Sequence, residues 1–485
     1  MAVPVSGESV GVSELKRTVL DGGYCVGCGA CAALDGEPCR IALNDDGCYV
    51  AFPQACCQSS ADPCCVCPLS DRSIGTAQLA HSLFAAYGAR YHDRIGYYVS
   101  SYAGHVTNAK LRADRTSGGY CTWLLLQLFK QHRIDGVIHV RHREPTAKNK
   151  TLFHYVISTS EEQIASGSRS SYYPVEMSEV LQNIKTLHGR YAIVATPLFV
   201  RAVRLLCMTE PAIRERIRYC IGLMCGHLKS AHYADILAWQ LGIEPDGLRR
   251  MQFREKSSCD AGKYRVVAEG IVAGKAVRRS APIMNLYGTN WGLGLLKCIG
   301  DDYSDDVVGE LADVSIGDAW MRPYRNDPKG TNIVVIRHPD IQDITEEGLC
   351  DGHLALDRIS PEAVAESQRA GFLHRREGLI YRLSLKKMAG AWHPPSRVQV
   401  CSSRSSHTFV MHQRLRLSLS RESYVAFRRA VCDGSFFSFV RTMNPLVWRY
   451  AKTMSFKAMS RMLFQNYWSL FCFFLRKPFL RYRTK

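Results

Sequence analysis

Tyr191-Ala192-Ile193-Val194-Ala195-Thr196-Pro197 and Ile217-Arg218-Tyr219-Cys220-Ile221-Gly222-Leu223-Met224 are the two stretches that decide the fold. Each is a short apolar run of the length of a buried strand. Leu198–Met208 between them carries a helical pattern, and His232–Leu241 carries a second one after them. Strand, helix, strand, helix predicts a mostly parallel sheet with crossover helices, an α/β architecture in which ligands favour the carboxyl ends of the strands. Thr196-Pro197 and Cys225-Gly226-His227-Leu228-Lys229 stand at two such ends. His227 and Lys229 are therefore candidate proton donors or substrate contacts, against the blander reading of His227 as a satisfied loop residue.

Upstream, Gly96–Tyr102, Ile134–Val140 and Leu152–Ser158 read as strands, and Tyr120–Gln131 as a helix. Arg115-Thr116-Ser117-Gly118-Gly119 precedes that helix, placing a cation, two hydroxyls and two glycines where backbone N–H groups can face a phosphate. A plain turn uses the same residues. Ser168-Arg169-Ser170-Ser171-Tyr172-Tyr173-Pro174 packs a cation, hydroxyls and two aromatic rings closely enough to hold a phosphate and cover a ring system; a solvated loop is the alternative. Downstream, Phe253-Arg254-Glu255-Lys256 heads a hairpin region. Val314–Ile316 is a strand ending in Gly-Asp, so Asp318 projects from a strand terminus and joins His227 and Lys229 as a candidate proton donor or substrate contact, and Thr331–Arg337 is a further strand. Beyond about residue 345 the chain reads as helical, polar and without chemical motifs.

The N-terminus has a different character. Ten of the chain's 20 cysteines, among them Cys56, Cys57, Cys64 and Cys65, fall in the first seventy of 485 residues. In a chain of this size with no apolar leader in its first twenty residues, the reading expects a cytoplasmic, reducing compartment and metal ligation rather than disulfides. Tyr24-Cys25-Val26-Gly27-Cys28-Gly29-Ala30-Cys31 holds three cysteines at two-residue spacings, and Cys67-Pro68 is the sole Cys-Pro. Ferredoxins take a fourth ligand from such a dipeptide. Residues 1–75 thus read as a small ferredoxin-like module around a 4Fe-4S cluster held by Cys25, Cys28, Cys31 and Cys67. Tetrahedral zinc is the competing metal, and Cys64 or Cys65 the competing fourth ligand.

Charge is as uneven as cysteine. From Cys401 to Lys485 sixteen Lys or Arg face Glu422 and Asp433, which places +14 of the net +18 in this tail. A nearly neutral body argues against a nucleic-acid-binding core and assigns any attraction to anionic surfaces to this tail, the end of a helical basic region over 346–485. Leu463–Leu475 is apolar and aromatic but too short to span a bilayer, and Gln465, Asn466 and Ser469 interrupt it. A helix lying on an anionic membrane surface, at the inner face, and a helix docked on the protein's own body are the two readings.

Taken in order, CVGCGAC, CP at Cys67, TSGG, SRSSYYP, ATP at Ala195–Pro197, GLMCGHLKS, FREK and ELADVSIGDAW followed by DPKGTNIVVIR resemble the coenzyme F420 hydrogenase/dehydrogenase beta-subunit family, from about Gly23 to Arg337. The resemblance implies an N-terminal family domain over 90–165, a flavin domain over 166–345, FAD as cofactor, and Cys25, Cys28, Cys31 and Cys67 as cluster ligands. It places Ser117, Gly118, Gly119, Arg169 and Ser170 near the flavin. Many relatives carry cysteines where this chain has Leu198, Asp301 and Ser304, and with Cys225 these look like the ligands of a second cluster. Leucine cannot coordinate iron, so one cluster is expected. The implied activity is an oxidoreductase moving electrons between a one-electron donor such as ferredoxin, or another redox protein, and an organic substrate or hydride cofactor. An electron-transfer subunit of a larger redox complex and a membrane-associated scaffold in polysaccharide metabolism are the alternatives. Homo-oligomerisation is compatible with all three.

Overall fold

The computed structural model describes residues 10–54, 61–147, 149–167, 169–256, 264–399 and 406–482, the side chains of 474–482 excepted. Cys56, Cys57 and Ser168 lie outside the described residues.

The two deciding runs form neighbouring strands of an eight-stranded sheet. In chain order its strands are β1 (Ser100–Val106), β2 (Gly136–His142), β3 (Phe153–Ser158), β4 (Tyr191–Ala195), β5 (Ile217–Leu223), β6 (Val314–Asp318), β7 (Asn332–Ile336) and β8 (Leu354–Arg358). The spatial order is β8-β1-β7-β6-β5-β4-β2-β3. The pairings β2/β4, β4/β5 and β5/β6 are parallel. The pairs β6/β7, β7/β1, β1/β8 and β2/β3 are antiparallel, so β1 runs with the four central strands. The sheet is mixed, with its parallel block at the centre.

Period-two alternation sorts side chains between two covered faces. In β4, Ala192 and Val194 pack into the layer formed by α1 (Tyr120–Lys130), while Tyr191, Ile193 and Ala195 pack into the opposite layer with α2 (Pro197–Thr209). Pro197 starts α2 because its missing N–H falls where a helix has no internal acceptor. After β5 the chain turns through Cys225–Lys229 into α3 (Ala231–Gln240), whose Ser230 side chain caps His232 N at 3.1 Å. The expected hairpin region is a separate three-stranded antiparallel sheet of Leu248–Glu255, Arg265–Val272 and Lys275–Pro282.

The chain beyond residue 345 departs from the expectation of a plain helical tail. Leu354–Arg358 is an edge strand of the main sheet, a pairing no local pattern announces because only its partner β1 specifies it. The helices α4 (His407–Cys432), α5 (Phe436–Ala451) and α6 (Phe456–Tyr482) then pack onto the body. Leu415, Leu419, Phe427 and Phe439 belong to the same apolar core as Leu15, Val19 and Leu34 of the N-terminal module. Ser423 Oγ accepts from Leu296 N at 2.9 Å, and Tyr424 OH donates to Lys297 O at 2.8 Å. In α6 the polar Gln465, Asn466 and Ser469 are on the buried side. Gln465 Nε2 reaches Thr289 Oγ1 at 3.0 Å, while Phe464, Trp468 and Phe471 face outward. Docking onto the body is thus what the inner face does, and the outer face is left apolar and open. Among the described residues no helix is long and apolar enough to cross a membrane.

Because tail and module share one core, Leu419→Ala at a fully buried site should destabilise the whole chain by about 2–5 kcal/mol. Denaturation followed by tryptophan fluorescence and far-ultraviolet circular dichroism should show the tail and sheet unfolding together. A separate early transition of the tail would contradict the shared core.

Candidate functional site

Two cavities adjoin at Val26. The smaller is lined by Cys25, Cys28, Cys31 and Cys67, walled by apolar side chains such as Leu15, Val19, Ile41 and Leu69. The loop can bring three thiols inward because Gly27 (φ +63°) and Gly29 (φ +90°) take the left-handed conformation. A methyl at Gly27 would lie 2.3 Å from Tyr49 O, and one at Gly29 2.6 Å from Ser178 N. Ala51 N donates to Cys25 Sγ at 3.3 Å. Cys67 closes the set as it leaves the short helix Pro63–Val66. Cys64 is buried elsewhere, its Sγ donating to Gly11 O at 3.3 Å, and Cys65 meets Asp62 at 3.6 Å. Neither thiol lines the cavity.

Burial and the neighbouring Cys31 push the Cys25 thiol up to about 11. Burial first and neighbouring thiols second raise Cys28 and Cys67 as well; Cys31 is raised first by its contact with Cys39, then by burial. Four thiols held this way resist ionisation unless a cationic centre joins them. Among the described residues no three His, Cys, Asp or Glu gather closely enough to hold a single metal ion. The four thiols instead border a common void.

The larger cavity, of about 280 Å³, opens at the carboxyl ends of β4, β5 and β6, where parallel strands place ligands. It brings together Ser117, Gly119, Arg169, Ser170, His227, Lys229 and Asp318 from separate segments of the chain. Gly118 stands behind them: a methyl there would meet Asn332 Oδ1 and Gly104 O at 2.7 Å, so its smallness seats the loop against the sheet. The two loops singled out in sequence touch, Thr116 Oγ1 lying 3.1 Å from Ser170 Oγ. Gly119 (φ +90°) ends the turn and opens α1 towards the cavity. Arg115 donates to Ala165 O at 2.6 Å, but its Nε is buried without a protein partner.

At the other end His227 stacks on Trp291, with ring centroids 4.4 Å apart, and its Nε2 is likewise buried and unpartnered. Burial beside Lys229 and Lys297 holds His227 well below the usual histidine range, so it is neutral. Lys229 donates to Leu295 O at 2.6 Å and lies 4.2 Å from the Tyr233 ring; burial and Lys297 push its ammonium well down. Asp318 is engaged by Arg254 at 2.8 Å. Tyr172 packs against Trp291 and Phe253, and Tyr173 against Phe153, so both rings form wall rather than an open lid.

Several contributors escaped the residue-by-residue reading. Lys256, quoted in sequence without a role, donates to Arg112 O, Ser117 O and Lys329 O at 2.7, 3.0 and 2.6 Å, tying three loops together at the cavity's rim. Where the sequence has Asp301 and Ser304, Asp301 receives Arg375 through two 2.9 Å bonds, and the same guanidinium reaches Gly226 O at 3.3 Å and Ser304 O at 3.5 Å. Leu198 and Ser304 are buried and border one small void between them. His139, also on the wall of the large cavity, had no sequence signal beyond a polar residue inside a strand.

His139 supplies a pH test. Burial, aided by Arg141, lowers it to about 4, with Ser158 Oγ 2.8 Å away. An unfolded histidine ionises near 6.5. Between those values the unfolded chain binds a proton that the folded chain refuses, so stability falls as pH drops from about 6.5 towards 4. His139→Gln should remove on the order of 1–3 kcal/mol of that acid loss. Urea titrations at pH 7 and pH 4.5 measure it, and an unchanged pH difference would contradict the assignment.

Comparison with known proteins adds the family. The family model for the N-terminal part of the coenzyme F420 hydrogenase/dehydrogenase beta subunit matches residues 101–182, and the model for the C terminus of the same beta subunit matches residues 188–362. No curated protein sequence matches the chain. A chain of the F420-reducing [NiFe] hydrogenase complex from Methanosarcina barkeri is similar in structure at 15% identity, covering 63% of this chain and 99% of that one with a TM-score of 0.47. With both halves of the family represented over more than half its length, the chain belongs to the coenzyme F420 hydrogenase/dehydrogenase beta-subunit family.

Proposed function

We propose that the chain is an FAD- and 4Fe-4S-dependent oxidoreductase that passes electrons between a redox protein such as ferredoxin and an organic substrate or hydride cofactor. The observation that carries this is the shared wall: Val26, in the middle of the cysteine loop, lines both the four-cysteine cavity and the large one. In this reading residues 1–75 are the cluster module, 90–165 and 166–345 the flavin-binding body, and 346–485 its basic cover.

The donor sets fit both groups. Four inward thiols around one void suit a cluster better than a single ion, and Cys67 is the fourth ligand. Arg115, Thr116, Arg169 and Ser170, with the N-terminus of α1, suit a phosphate-bearing cofactor, and the unpartnered Arg115 Nε is a donor awaiting an acceptor. When bound, the flavin supplies exchange between two-electron and one-electron chemistry, which the cluster carries singly.

The chain's own residues do the rest. Val26 and the apolar side chains around the thiols exclude water from the space between the sites. Neutral His227 offers its unpartnered Nε2 on the face of Trp291 as a hydrogen-bonding group, and Lys229, fixed by Leu295 O, orients substrate beside it. Asp318 anchors Arg254 at the cavity wall. The buried Asp301–Arg375 pair beside Cys225 supports the reading of one cluster, since it fills with matched charge a place where soft ligands would be needed. The outward stripe of Phe464, Trp468 and Phe471 on α6, in a strongly basic tail, favours contact with an anionic membrane surface at the cytoplasmic face. No nucleic-acid role is assigned.

Anaerobically purified protein should show flavin and iron–sulfur absorption that bleaches on one-electron reduction, with about four irons per chain. Iron near eight would overturn the single cluster, and a colourless, iron-free protein would overturn the function. Cys28→Ser and Cys67→Ser should lose the iron, whereas Cys64→Ser and Cys65→Ser should keep it. Separately, Arg115→Ala should weaken FAD binding about ten- to a hundredfold, the size expected for one charge-assisted hydrogen bond, as read by fluorescence titration of flavin-stripped protein. Unchanged affinity would remove Arg115 from the phosphate site.

A further inference from the structure

Helices α5 and α6 share one outward face. On α6, Phe464, Trp468 and Phe471 follow one another at helical spacing, exposed at 69%, 44% and 53%, with successive ring centroids 6.1 and 5.7 Å apart. Lys457 and Arg461 continue the same stripe towards the start of the helix, and both are exposed. On α5, Arg441, Trp448 and Lys452 form a second exposed row, with Arg449 beside it. The two rows are joined where Trp448 Nε1 donates to Tyr467 OH. The turn Ile283–Asn285 completes the surface: Trp468 Nε1 donates to Asn285 Oδ1 at 3.0 Å, and the neighbouring Met284 is exposed.

What this face offers decides what covers it. Both tryptophan N–H groups are spent inside the protein, and the polar Gln465, Asn466 and Ser469 are buried on the other side of α6, so an apolar layer receives these rings without stranding an indole donor. From Gly434 to Lys485 ten Lys or Arg are accompanied by no Asp or Glu. A second copy meeting this face across a two-fold axis would set cations against cations. An anionic bilayer surface meets both demands, with acyl chains for the rings and headgroups for the cations.

We propose that α5, α6 and the Ile283–Asn285 turn form one interfacial anchor that lays α6 along an anionic lipid surface. Phe464, Trp468, Phe471 and Met284 enter the boundary between headgroups and acyl chains, while Arg441, Arg449, Lys452, Lys457 and Arg461 stay among the headgroups. The aromatic stripe from Phe464 to Phe471 is about 10 Å long, so the anchor is shallow and reversible rather than spanning. It also fixes orientation, because the turn that follows the three-stranded sheet faces the lipid. The anchor rests on the membrane reading of the tail and is independent of the flavin and cluster assignment.

Co-sedimentation of the purified full chain with lipid vesicles tests the anchor. Vesicles of phosphatidylcholine containing about one third phosphatidylserine should carry the chain down, phosphatidylcholine alone should not, and salt should weaken the binding. Phe464→Ser with Phe471→Ser should lower the affinity roughly tenfold or more, and Lys457→Gln with Arg461→Gln roughly fivefold per cation, with far-ultraviolet circular dichroism unchanged. Phosphatidylcholine brominated on its acyl chains, mixed into the anionic vesicles, should quench tryptophan emission in the parent chain and much less in Trp468→Phe. Binding to anionic vesicles that none of these substitutions alters would overturn the anchor while leaving membrane contact through another surface; no binding at all would overturn both. A dimer that Phe464→Ser with Phe471→Ser dissolves, without vesicle binding, would assign the face to a second copy and overturn the anchor as well.

Discussion

Arg375, only 2% exposed, holds both carboxylate oxygens of Asp301 while reaching carbonyl groups of the turn after β5. Next to it Lys297 and His374 meet Asp302, and Arg382 donates to Asp302 O at 3.0 Å. Burying this many charges is costly, and only mutual pairing makes it tolerable. That constraint fixes the neighbourhood: the Cys225–Lys229 turn, the 297–304 segment and the 374–382 helical segment must arrive together or leave a buried charge alone. His227, Lys229 and Cys298 all ride on the segments so fixed. The large cavity therefore owes its back wall to ionic pairing and its front wall to the period-two packing of β4, β5 and β6.

Much of the arrangement was legible in sequence because it rests on local signals. The runs Tyr191–Ala195 and Ile217–Leu223 and the helix after Thr196-Pro197 follow from periodicity and from proline's place at a helix start. Asp318 does project from the end of β6, as a Gly-Asp strand terminus suggests. Cys25, Cys28 and Cys31 share a loop that their spacing makes compact, and the thiol before the proline is the distal one that borders the same void. What stayed hidden depends on partners remote in the chain. The edge strand Leu354–Arg358 has no pattern of its own. Arg375 carries no motif, although it decides what stands beside Cys225. Lys256 was visible as part of a motif, but its three carbonyl partners come from loops around residues 112, 117 and 329.

The tail shows the same limit in another form. Composition revealed its basic charge and aromatic stripe, and Gln465, Asn466 and Ser469 read as interruptions of an apolar segment. Tertiary packing reverses that sense, since those polar residues sit against the body and the rings lie outside. A local hydropathy argument cannot distinguish a face that hydrogen-bonds inward from one that meets solvent.

Joining the N-terminal module to the main core has a consequence for how the protein would be assembled. An iron–sulfur module tethered by a linker can remain empty while its neighbour folds. Here Leu15, Val19 and Leu34 share one apolar cluster with α2 and α4, so a cluster bound in the four-thiol cavity, as proposed, would be thermodynamically linked to folding of the whole chain. A cell short of iron would then accumulate a poorly folded polypeptide for its quality-control machinery, rather than a stable protein lacking its metal.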